Sequence, residues 1–294
     1  MYILINLLVL LITIFLYINI YFNLHTSDYL EIYEIDNVSK EKFEELCNIK
    51  QPLFFDSLKL DITFPDLNID YLKKLYGSFD IQLFDNSNNN ISVPINLNIA
   101  CELFNKDLSS NYISEYNFDF LEETTLIKTF KTYDYFLRPL YVTNSYYDLI
   151  FGSNNSYTKF KYTLNYRNIF YLIDGSIEII MTPPYNKKYL YVNEFNDELE
   201  YFSDIDIYNV HDKYKQNFNK VKLLKKKLTK GQFISIPAYW FFSIRFLENN
   251  TLISSYKYRT YSNNLAILPN IFHNFLKRNN IKRNFIKVLN VDIE

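Results

Sequence analysis

The 294-residue chain is poor in the residues that most often carry chemistry: 4 glycines, 3 histidines, 2 cysteines and 1 tryptophan. Four scattered glycines cannot build the glycine-rich loop that cradles a nucleotide phosphate. Three histidines, His25, His211 and His273, leave little material for an imidazole metal site or a proton relay. Cys47 and Cys101 exclude a disulfide-dense scaffold and a cysteine-rich zinc site, and leave one bridge arithmetically open. An excess of one charge sign is also missing. Lys and Arg number 31 against 33 Asp and Glu, so no long-range field draws the chain to nucleic acid, and no nucleic-acid partner is expected.

Apolar and aromatic residues are plentiful instead, at 48% and 19%. That is too apolar for a disordered polypeptide and enough for one large domain with a substantial core. Asparagine stands where glycine would otherwise turn the chain, as in Asp85-Asn86-Ser87-Asn88-Asn89-Asn90, because it tolerates left-handed backbone better than other non-glycine residues.

From Tyr2 to Ile18 only Asn6 and Thr13 are polar, and with Asn19-Ile20-Tyr21-Phe22 the run spans about 31 Å as a helix, the thickness of a bilayer core. The reading is a single-pass membrane anchor over residues 1–24, followed by a body over 25–294. A cleaved signal peptide is the competing reading, but a basic leading region and a small-x-small site after Phe22 are both missing. No Lys or Arg precedes Lys40, so sidedness is not set.

In the body, Leu30, Ile32 and Ile35 alternate like a short strand, and Ser39 is placed to cap a helix reaching about Glu45. Residues 70–76 read as a helix stopping at Gly77, and 86–118 as a long Asn-rich loop with short strands. From residue 140 on, short alternating runs recur: Tyr147–Phe151, Tyr157–Leu164, Ile169–Ile173, Ile177–Met181, Lys220–Leu228, Phe233–Pro237, Phe241–Phe246 and Leu252–Tyr258. Such a succession points to a β-sandwich or barrel. A terminal amphipathic helix is expected over about 268–288, with Phe272, Phe275 and Leu276 on one side and Lys277, Arg278, Lys282, Arg283 and Lys287 among its cations. A replacement metal site from His211 and His273 with Asp206 or Asp212 is disfavoured, because these residues fall outside the barrel strands. The lysines between Lys220 and Lys230 suit the solvated face of a strand.

Two blocks then stand out. Gly231-Gln232-Phe233-Ile234-Ser235-Ile236-Pro237-Ala238-Tyr239-Trp240-Phe241-Phe242-Ser243-Ile244 resembles the late signature of the cupin-like, JmjC-type double-stranded β-helix, roughly G-D-x-x-x-I-P-x-x-W-W-H-x-I. Upstream, Tyr162-Thr163-Leu164-Asn165-Tyr166-Arg167-Asn168, then Gly175 and Pro183-Pro184, resembles the same family's H-x-D block with its following Asn, Gly and Pro-Pro. The resemblance implies a mainly-β jelly-roll barrel with flanking helices, and it extends to the degenerate, membrane-anchored cupin-like proteins of large DNA viruses. Oxygenases of this family hold Fe(II) with two His and a carboxylate beside 2-oxoglutarate. By the family's fixed offsets, the former metal-ligand positions are Tyr162, Leu164 and Phe242, and the lysine that anchors 2-oxoglutarate is replaced by Ile177. Leu and Phe donate nothing to a metal, and a phenol must first lose a proton.

The expectation is therefore a cupin-fold protein without a cofactor, serving as a non-catalytic binding or structural module. A Fe(II)/2-oxoglutarate oxygenase with unrecognised ligands is the alternative. Tyr162, Arg167, Asn168, Trp240 and Phe242 are the expected pocket lining, and the expected partners are the membrane and either a protein or a small apolar ligand.

Overall fold

The computed structural model describes residues 2–35, 39–56, 67–86, 92–195 and 199–280. The first half carries α1 (Tyr2–Leu24), β1 (Tyr33–Ile35), α2 (Lys40–Cys47), β2 (Leu53–Asp56), α3 (Ile69–Tyr76), β3 (Asp80–Asp85), β4 (Ser92–Asn96), α4 (Leu97–Lys106), β5 (Tyr112–Ser114), α5 (Phe118–Glu123) and α6 (Ile127–Tyr133). The second half is mostly strand: β6 (Val142–Gly152), β7 (Lys161–Thr163), β8 (Arg167–Asp174), β9 (Ser176–Thr182), β10 (Val192–Phe195) and β11 (Glu200–Ser203). After α7 (Asp212–Phe218) come β12 (Leu224–Thr229), β13 (Gln232–Pro237), β14 (Phe241–Phe246) and β15 (Leu252–Thr260), and the described chain closes with α8 (Tyr261–Ala266) and α9 (Leu268–Asn280).

The strands form two sheets, one ordered β1-β2-β13-β8-β15-β6-β5-β3-β4 and the other β10-β11-β7-β14-β9-β12. From β7 to β9, and again from β12 to β15, successive strands alternate between the sheets, which is the winding of a double-stranded β-helix. Two of these crossings are tight turns at Gly175 (φ +83°) and Gly231 (φ +88°), backbone that L side chains rarely adopt. At Gly175 a Cβ would also lie 2.3 Å from Thr251 Oγ1, so only glycine fits there.

Alternation along each strand divides the apolar residues into three layers. Phe170, Leu172, Ile234, Ile236 and Ile253 of the larger sheet meet Ile177, Ile179, Met181, Phe242, Ile244 and Phe246 of the smaller one inside the barrel. Ile169, Tyr171 and Phe233 point the other way, into a core closed by helices α2 to α6. Phe160, Tyr162, Leu164 and Phe241 form a third layer outside the smaller sheet, under α7 and the start of α9. A strand covered on both faces reads as a continuous apolar run, and β8, β13 and β14 do so.

The expected jelly-roll barrel with flanking helices is present. The reading of 86–118 needs correction, because α4 occupies much of it. Leu97, Ala100, Cys101 and Phe104 recur at helical spacing and are all buried, and the Asn96 side chain accepts the Asn98 N–H at the helix start. The intervening polar residues hid that period. Cys47 and Cys101 are free, buried thiols, so the arithmetic bridge is not made. The terminal helix runs to Asn280, and the expected continuation to about 288 lies outside the described residues.

Candidate functional site

Strand β7 decides what the barrel interior contains. Lys161 sits directly opposite Phe242 of β14, and opposite residues of neighbouring strands share a face. Lys161 and Thr163 therefore point inward with Phe242, and Tyr162 and Leu164 point outward into the third apolar layer. The three expected ligand positions do not converge. Tyr162 and Leu164 lie on the face of β7 turned away from Phe242, because successive side chains of a strand alternate between its faces. Thr163 Oγ1 donates to Asn168 Oδ1 at 2.8 Å, tying β7 to β8 on the inward side.

The other expected lining residues separate in the same way. Arg167 points to the helical side, where its guanidinium forks onto both carboxylate oxygens of Glu44 and donates to the Leu137 carbonyl. Asn168 faces inward and donates to the Ile236 carbonyl at 3.1 Å. Trp240 is fully buried in the barrel layer, and its Nε1 donates to the Ser27 carbonyl in the segment after α1. Ile177 is buried inside, opposite Phe246 and Leu228, and forms part of an apolar floor.

The inward side of β7 meets a cluster of charges that the sequence reading missed. Lys161 Nζ lies 2.8 Å from Glu115 Oε2 and 2.9 Å from Glu200 Oε2. Lys257 Nζ, from β15, lies 2.7 Å from Glu200 Oε1. The Tyr116 hydroxyl donates to Glu200 Oε2 at 2.6 Å and accepts from Lys161 at 2.9 Å. Tyr116 itself has φ +65°, and that strained backbone is held by Asp148, whose two carboxylate oxygens accept the Tyr116 and Asn117 N–H groups at 2.8 and 2.7 Å. Two ammoniums thus meet Glu115 and Glu200, with the buried Asp148 carboxylate lining the same void, in a site where Glu200 is 0% and Lys161 4% exposed.

Electrostatics agrees with this pairing. Burial alone would raise the Glu200 pKa, but the Lys161 and Lys257 charges, with hydrogen bonds from Lys257 and Tyr116, outweigh it and hold the carboxyl well below its usual range. Burial likewise works against the Lys161 ammonium, and Glu115 and Glu200 more than offset it, raising its pKa. Lone charges are costly in such a place, so the cluster holds only as a matched set. A signal for it existed in the sequence: Lys161 is the one cation of β7, and Lys257 stands in the middle of β15, whose only other charged residue is Arg259 near its end. Once both faces of a strand are covered, a lysine within it has to be paired.

Little space is left at this level of the barrel. The void bounded by Glu115, Lys161, Phe242 and Lys257 is about 10 Å³, room for one water at most. Above it, sharing Asp148 and Lys257, a mainly apolar cavity of about 250 Å³ opens between Tyr116, Phe118, Tyr146 and Tyr147.

The described residues do not fit an iron centre. Among the described residues, no group of three or more His, Cys, Asp and Glu could hold a metal ion. Ammonium, threonine and phenyl groups face the interior where an imidazole–carboxylate set would be needed. None of the histidines serves the barrel: His211 caps α7, His25 stacks on Tyr21 after α1, and His273 is exposed on α9.

A family model for the cupin-like domain matches residues 64–265. No curated protein matches the chain.

Proposed function

The chain belongs to the cupin-like domain family, and from that premise we propose that it is a single-pass membrane protein whose barrel is a non-catalytic binding or structural module. The observation that carries this reading is the ion cluster. Lys161 and Thr163 take the inward positions of β7 that a His and a carboxylate hold in the family's oxygenases, and Phe242 takes the second His position. A fixed ammonium then supplies from within the chain the positive charge that a divalent cation would bring. The aromatic cavity above the cluster, floored by Lys257 and Asp148, is the place where a small apolar ligand would bind.

Support for the membrane comes from α1, 23 residues long with mean hydropathy 2.7 over its most apolar window, none of which is buried. Helix α1 packs against α8. From there an exposed stripe, Tyr261, Leu265, Leu268, Phe272, Phe275 and Leu276, runs along α8 and α9 at the spacing of one helical face. An apolar face this long, continuous with a spanning helix, suits the bilayer interface.

The test is purified full-length protein incubated with Fe(II) and 2-oxoglutarate. The expected result is neither succinate release above background nor a metal-dependent shift in thermal unfolding. Stoichiometric iron together with succinate release would refute the non-catalytic reading.

A further inference from the structure

A second cavity, of about 320 Å³, lies where α1 meets the body, and Leu24, Asp28, Tyr162, Tyr185, Lys187 and Tyr239 are among its walls. Lys187 sits on the 3-10 turn Pro184–Tyr189, and its Nζ donates to the Tyr162 hydroxyl at 2.7 Å. The ammonium also lies over the Tyr162 ring at 4.8 Å and the Tyr201 ring at 5.8 Å. Among the described residues no carboxylate reaches Lys187 within ion-pair distance, and burial lowers its pKa with no anion to offset the loss of water. The Tyr162 hydroxyl accepts from Lys187, so its own proton is left to donate into the cavity. Stacking of Tyr162 on Tyr201, with centroids 4.8 Å apart and planes at 5°, fixes that hydroxyl in place.

Asp28 faces the same cavity and makes no hydrogen bond or ion pair among the described residues. The lining therefore offers an exposed cation held on a buried phenol donor, an exposed carboxylate, and tyrosine rings. Leu24, on the rim, is the last residue of α1, which sets the cavity at the depth where a spanning helix leaves the hydrocarbon.

We propose that this cavity seats the headgroup of a zwitterionic aminophospholipid, with the phosphate on Lys187 and Tyr162 and the ammonium at Asp28 against the tyrosine faces; the placement rests on the reading of α1 as a membrane anchor. A purely anionic headgroup would satisfy Lys187 and be repelled by Asp28. A headgroup carrying both charges satisfies both walls.

The experiment uses full-length protein in detergent, titrated with dioctanoyl phosphatidylethanolamine, dioctanoyl phosphatidylglycerol and soluble phosphoethanolamine, with adducts read by native mass spectrometry. Phosphatidylethanolamine is expected to bind about 10-fold more tightly than phosphatidylglycerol. Lys187→Gln and Tyr162→Phe should each weaken it about 10-fold, a loss of about 1.4 kcal/mol, and Asp28→Asn should abolish the preference between the two lipids. Soluble phosphoethanolamine binding as tightly as the lipid would support the charge pattern and assign it a soluble source. Equal binding of the two lipids, or a Lys187→Gln protein that binds like wild type, would overturn the proposal. Carbonate extraction of membranes from cells making the full chain separates the two readings. Release of the protein overturns the anchor, whereas retention with unchanged binding by Lys187→Gln overturns the headgroup seat alone.

Discussion

Replacing Lys161 with methionine tests the ion cluster most directly. The substitution keeps an unbranched apolar stem in β7 and removes the ammonium that Glu115 and Glu200 share at 2.8 and 2.9 Å. Glu200 keeps Lys257 and the Tyr116 hydroxyl, so the stranded charge falls mainly on Glu115. Removing one partner of a buried pair costs about 3–5 kcal/mol. A stranded carboxylate can escape by taking up a proton, at about 1.36 kcal/mol for each unit between its ordinary pKa and the ambient pH. That escape caps the loss at about 3–4 kcal/mol at pH 7 and brings it down to about 1 kcal/mol at pH 5. For a domain of this size the pH 7 figure corresponds to a Tm drop of about 6–16 °C. Lys161→Met combined with Glu115→Gln removes the stranded carboxylate, keeps the Lys257–Glu200 pair and should recover all but about 1 kcal/mol. Thermal unfolding of the full chain in detergent, followed by near-ultraviolet circular dichroism at pH 5 and pH 7, measures all of this. A single variant within about 1 kcal/mol of wild type at pH 7, or a double variant no better than the single, would refute the reasoning.

Further outcomes follow from the same geometry. Glu200 has its pKa depressed in the folded state, so the unfolded chain takes up that proton first as the pH falls below about 4.5; the stability it contributes is complete above that value and drains away toward its lower folded pKa, which a Tm series from pH 6 to pH 3 would show as a steepening loss. The register of β7 can be read by grafting: Lys161→His, Thr163→Asp and Phe242→His together should give a visible Co(II) absorption band, and Tyr162→His, Leu164→Asp and Phe242→His should not, since only the first set faces one point. Bands of equal strength from both sets would contradict the inward assignment. Gly175→Ala should cost at least about 1–2 kcal/mol in denaturant unfolding, from the left-handed backbone alone, before the clash with Thr251 is counted.

How much was legible before the fold was known varies by element. Strands with apolar residues on both faces showed as plain hydrophobic runs, and β8, β9, β13, β14 and β15 fall where the runs at Ile169, Ile177, Phe233, Phe241 and Leu252 placed them. The family resemblance lay in turn and edge residues, Gly175, Pro183-Pro184, Gly231, Pro237 and Trp240, whose backbone demands tolerate few substitutes. Helix α4 was legible in principle, because Leu97, Ala100, Cys101 and Phe104 keep the helical period, but asparagine-rich flanks masked it. The site was the least legible part. Which face of β7 turns inward is invisible in composition or motif, yet it decides that Lys161 and Thr163, not Tyr162 and Leu164, meet the barrel interior.

Local chemistry in the sequence thus determined the strands, the glycine turns, the long apolar helix and the shortage of metal donors, because each depends on residues within a few positions of one another. Only the tertiary structure decided that Glu115, Lys161, Glu200 and Lys257 meet. They come from four separate segments of the chain, and whether a lysine in a strand faces solvent or an enclosed carboxylate depends on the pairing register and on which sheet covers it.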